Sequence, residues 1–191
     1  MSTNWDRDSI PYVGVRGGFL FSEPSWLGLS VEVLHFKVFA ETDRQVHVTG
    51  TSKNLPVDGL APLSQFIQTY QVSNGVNMLL GNVEAHKRLG ESVAFPAGRA
   101  ELYVGAGAGG TFPFTRSHID GRSQGQYEWS RAATQIFGGL AWHLSWRWDL
   151  SLEYKLTATT VDGSVPDGKS ESRLLTNHVA FGVGFHFTTK P

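Results

Sequence analysis

The stretch WDLSLEYKLTATT, Trp148 to Thr160, decides the fold class. Trp148, Leu150, Leu152, Tyr154, Leu156 and Ala158 fall on one side of an extended chain. Asp149, Ser151, Glu153, Lys155, Thr157 and Thr159 fall on the other. A period of two is that of a β-strand with two unlike faces. In a soluble sandwich the apolar face is core and the charged face meets water. In a membrane barrel the apolar face meets lipid and the charged face points inward.

Neighbouring stretches favour the second arrangement. In ELYVGAGAGGTF, from Glu101, one face carries Leu102, Val104, Ala106, Ala108 and Phe112, and the other is mostly glycine with Glu101 and Tyr103. In NHVAFGVGFHF, from Asn177, Val179, Phe181, Val183 and Phe185 oppose His178, Ala180, Gly182 and Gly184. In YVGVRGGFLF, from Tyr12, Val13, Val15 and Phe19 oppose Gly14, Arg16 and Gly18. Glycine on a water-facing strand weakens it and covers nothing. Inside a narrow closed barrel it makes room for large side chains that share the lumen.

Seven long strand-like segments are visible: Pro11–Phe21, Leu27–Glu41, Gln65–Lys87, Arg99–Thr115, Gln126–Leu144, Trp146–Val161 and Ser172–Thr188. Their apolar parts suit the roughly 9 to 11 residues of a tilted transmembrane strand. Long connections (residues 42–64, 116–125 and 162–171) alternate with short ones, including the tight turn in HLSWRWD, His143 to Asp149. Five of the six Trp residues sit near proposed strand ends or turns, as an aromatic girdle would place them. The expected fold is therefore all-β: an up-and-down antiparallel transmembrane barrel of the eight-stranded class, over residues 11–188. Residues 1–10 form a lead-in and 189–191 a tail.

Composition fits one such domain. The 191 residues carry a net charge of −1 and no basic stripe, which argues against a nucleic-acid partner. The absence of cysteine removes disulfides, thiolate metal sites and cysteine nucleophiles. The opening MSTNWDRDSI lacks the basic start and apolar middle of a secretory leader. GAGAGG lies within a strand pattern and leads into no helix, so it is not a nucleotide loop.

PYVGVRG, GLSVEVLHFKVFAE, VSNGVNMLLGNVEAHKR, LYVGAGAGGTFPF, SLEYKLT and LLTNHVAFGVGFHF occur in this order. Together they resemble the bacterial outer-membrane lipid A oxidase family, small eight-stranded barrels, over nearly the whole chain. The resemblance implies residence in the outer membrane. It also implies oxygen-dependent oxidation of the proximal glucosamine of lipid A, in lipopolysaccharide, to an aminogluconate. Members of that family carry a first strand before the position of Trp5. An upstream strand, or one donated by a partner chain, is accordingly expected beside the first visible strand. Leu34 stands where the family often has a small polar residue.

Parity puts Arg16, Glu32, Glu101, Asp149, Glu153 and Lys155 on the inner face. One reading is a salt-bridged lumen that locks the barrel, since unpaired buried charge is costly. The other is a polar cluster opening towards the outer leaflet, with Glu153 as proton acceptor. Glu32, His35, Lys37, Glu153 and His178 are the candidate catalytic residues, and Asn77 and Lys155 the candidate substrate contacts. Asn77 is read as inward-facing with Gly75. His35, His178 and His118 could serve a divalent metal ion only if two or three converge with a carboxylate such as Glu32. His143 and His186, near the short turns, are weaker candidates. The alternative function is a non-catalytic barrel with a structural, adhesive or assembly-subunit role.

Overall fold

The computed structural model describes residues 12–187 apart from 40, 42, 53–54, 67–68, 92–97, 120, 128 and 166–167. The lead-in and the tail lie outside the described residues. The strands are β1 (Tyr12–Leu20), β2 (Leu27–Phe39), β3 (Gln45–Ser52), β4 (Leu55–Pro62), β5 (Thr69–Leu89), β6 (Ala100–Ile119), β7 (Arg122–Tyr127), β8 (Ala132–His143), β9 (Trp148–Val165) and β10 (Gly168–Phe185). There is no α-helix among the described residues.

Seven strands form one curled antiparallel sheet in the order β1-β2-β5-β6-β8-β9-β10, a half-barrel. These are the seven segments read from the sequence. Each large strand pairs with its neighbour by up-and-down connection. β1 and β10 are the two edges, and no ladder joins them among the described residues. Their inward side chains nevertheless meet: the rings of Tyr12 and His178 lie with centroids 4.6 Å apart.

The long connections are more ordered than the sequence suggests. Residues 42–64 contain the separate hairpin β3–β4, and residues 116–125 contain the turn by which β6 folds back onto β7. Gln126 and Tyr127 belong to β7, not to the strand that begins at Ala132. The third long connection is an extension of the β9–β10 ladder up to Val165 and Gly168. All three lie at one end of the sheet, and the turns after β1, β5 and β8 lie at the other.

The two faces differ as alternation requires. Val15, Val33, Val83, Val104, Ile136, Leu150, Leu152, Tyr154, Val179, Phe181 and Val183 point outward and are exposed, Phe181 at 85% and Val15 at 71%. Ser30, Glu32, Asn82, Glu84, Gln135, Asp149, Glu153, Lys155, Thr157 and Thr159 point inward and are buried. This inverts the usual soluble arrangement. Exposed apolar side chains on every one of the seven large strands are more than the singly scattered ones of an ordinary monomer surface. Inward glycines supply the space that the large side chains occupy. A Cβ at Gly139 would lie 2.5 Å from Tyr103 Oη, and one at Gly182 would lie 2.5 Å from Ser151 Oγ.

Candidate functional site

The lumen is built in three layers, because the strands bring like residues to like heights. Nearest the long loops is an apolar layer of Leu34, Phe36, Val76, Met78, Leu80, Ala133 and Val161, with Tyr12, Val38 and Leu174 packed against it. It forms because β2 and β5 reverse their colouring there. Their large apolar side chains turn inward and the polar residues between them turn outward.

The middle layer is charged. Lys155, with no exposed surface, lies between Glu32 and Glu153; its Nζ contacts Glu32 Oε1 and is 3.1 Å from Glu153 Oε1. Arg16 donates to both oxygens of Glu153, at 2.7 and 3.0 Å, and to Glu32 at 3.2 Å. Its guanidinium stacks 4.1 Å from the Phe137 ring centroid. Gln135 Nε2 donates to Glu32 Oε2 and to Asn82 Oδ1, both at 2.7 Å. Asn82 donates to Ser30 Oγ at 3.0 Å, and Ser30 donates to Glu84. Each carboxylate in this layer thus has a cation or a hydrogen-bond donor, the condition for burying charge without a large penalty.

The lowest layer is rich in imidazole. His86 sits between Glu101 (Nδ1 to Oε1, 2.7 Å) and Glu84 (Nε2 to Oε2, 3.1 Å). His186 Nε2 is 2.8 Å from Asp149 Oδ2. That hydrogen bond raises the pKa of His186, just beyond the end of β10, with partial burial acting against it. The His143 ring lies 5.4 Å from that of His186.

The sequence-derived candidates therefore separate. Glu32, Glu153 and Lys155 meet in the buried middle layer, and the apolar layer stands between them and the long loops. His178 is inward but higher, among Tyr12 and Phe36. His35 and Asn77 lie on the outward face. The inward assignment of Asn77 is corrected. It does share a face with Gly75, but Val76, Met78 and Leu80 occupy the lumen there, so odd-numbered residues point out. Lys37 shares the outward parity of His35. His118 bonds Ser123 across the β6–β7 hairpin, away from the others.

The outward pair is well defined. Asn77 Nδ2 donates to the Phe112 carbonyl at 3.0 Å, so its Oδ1 is the atom 2.8 Å from His35 Nδ1. His35 Nδ1 is then the donor, and in the neutral imidazole Nε2 is the acceptor. Gly75, at φ +92°, is covered by the His35 ring, and a Cβ there would lie 2.6 Å from Nδ1. Tyr154 and Asn177 make a second outward hydrogen bond at 2.5 Å.

No protein-family model, curated protein or solved structure matches the chain.

Proposed function

We propose that the chain is an outer-membrane β-barrel that oxidises the proximal glucosamine of lipid A to an aminogluconate. The observation that carries the membrane part is the exposed apolar exterior wrapped around a lumen of paired charges. Lipid is the solvent that makes both faces favourable. Short turns then face the periplasm and the longer connections face outward.

The catalytic part rests on the family resemblance, and the outward His35–Asn77 pair supports it. A barrel enzyme acting on a lipid headgroup needs polar groups on its lipid-facing side near the long-loop rim. His35, oriented by Asn77 and near Lys37, is such a group. Its Nε2 would take the hydroxyl proton from the sugar carbon being oxidised. Two electrons and two protons leave the hemiacetal for O2, giving peroxide and a lactone, and water opens the lactone to the acid.

Mass spectrometry of lipid A from cells with and without the gene tests this. Aminogluconate that depends on the gene, and is lost in His35→Ala, supports it. Unmodified lipid A in both strains removes it. A second reading, a non-catalytic barrel, is favoured by the pairing of the buried Glu32, Glu84 and Glu153. It gains if lipid A is unchanged while the barrel is folded.

A further inference from the structure

We propose that His143, Asp149 and His186 form a binding site for a divalent transition-metal ion at the short-turn rim of the lumen. It lies at the opposite end from His35 and does not depend on lipid A chemistry.

Three local features converge on it. His143 and Asp149 are the facing partners that close the β8–β9 ladder, so their inward side chains start side by side. The Leu144–Arg147 turn between them is held by Leu144 N to Trp148 O at 2.8 Å and by Ser145 Oγ, which accepts from Trp148 N at 3.1 Å. His186 is brought to the same place by its own backbone, whose N–H donates to the Arg147 carbonyl at 2.8 Å. Opposite Asp149 stands Gly184, which leaves the carboxylate the room it fills.

One ligand atom from each residue lies within 4.8 Å of the others. Donors around a tetrahedral ion, with bonds of about 2.0–2.2 Å, stand roughly 3.4 Å apart. Binding would draw the three donors together by at most about 1.4 Å. The independent observation is His143. It is only 6% exposed, and its Nε2 is buried with no hydrogen-bond partner among the described residues. A buried imidazole nitrogen is normally satisfied, and none of the described residues satisfies this one. A cation would. Two imidazoles with one carboxylate suit zinc, cobalt or ferrous iron rather than calcium or magnesium. Three protein ligands leave further positions for water at the rim.

The test is titration of tag-free protein, refolded in detergent micelles, with Zn2+ by calorimetry and with Co2+ by visible absorption. One equivalent should bind, with the absorption of a low-symmetry cobalt site. Binding should vanish in His143→Ala and His186→Ala, and persist in His47→Ala, whose exposed imidazole lies on the β3–β4 hairpin. Asp149→Asn, close to isosteric, guards against misfolding of the alanine variants and should weaken binding at least tenfold. Absence of saturable binding to the wild-type protein overturns the proposal. So does binding that survives loss of His143 or His186.

Discussion

Arg16 of the edge strand β1 holds both carboxylate oxygens of Glu153 on β9, at 2.7 and 3.0 Å, across the interior of the half-barrel. Neither strand pairs with the other, so this contact ties distant parts of the sheet through its lumen. Lys155 uses the same carboxylate. Glu153→Ala would remove the closest carboxylate partner of Arg16 and one of the two partners of Lys155. Breaking a buried pair costs about 3–5 kcal/mol. The folded band in heat-modified gel electrophoresis should shift at a lower temperature than in wild type, and an unchanged transition would count against the cluster as a lock.

Glu32→Ala should behave in the same way. Glu32 receives Lys155, Arg16 and Gln135, so it belongs to the lock rather than to an exposed site. His35→Ala should differ, because His35 points outward and only its bond to Asn77 is lost. Its stability should stay within about 1.5 kcal/mol of wild type, the size of one hydrogen bond. Equal destabilisation of both variants in urea would contradict the assignment of faces.

The apolar layer makes a packing prediction. Leu34 is completely buried among Phe36, Met78 and Leu80. Leu34→Ala should cost about 2–5 kcal/mol, as large-to-small changes in closed cores do. The wild-type barrel, filled in this way, should conduct no measurable ionic current in planar bilayers. Stable open channels would refute a sealed lumen.

The exterior makes the membrane prediction. Phe181 is 85% exposed and opposes Leu152 on the outward face. Phe181→Arg should destabilise the protein by about 2–4 kcal/mol in lipid bilayers if it sits near the midplane. The same change in a water-exposed site would fall within about 0.5 kcal/mol. Folding titrations in phospholipid vesicles distinguish the two.

The large strands were legible because outward apolar and inward polar or small residues alternate over most of β1, β9 and β10. The inward charges were legible for the same reason: Arg16, Glu101, Asp149, Glu153 and Lys155 follow strict parity. β3 and β7 were not, since QVHVTGTS and RSQGQY carry too few apolar residues to mark a face. His35 and Asn77 were named from the sequence, but the rule itself turned Asn77 inward. Where Leu34, Met78 and Leu80 fill the lumen, apolar residues point inward, and only the neighbouring strands reveal it. His143 and Asp149 flank the recognisable turn in HLSWRWD. Their third companion, His186, lies just past the end of β10, and its approach depends on where β10 ends against Arg147.

The apolar layer also gives the barrel a direction. Leu34, Phe36, Val76 and Met78 block the axis above the charges, so water-borne solutes reach His143, Asp149 and His186 from the short-turn end. On the proposed outer-membrane placement, with short turns in the periplasm, a metal ion held there would exchange with a pool inside the cell envelope and be shielded from the surroundings. A chelator unable to cross the outer membrane, added to intact cells, should leave such an ion in place, and permeabilisation should release it.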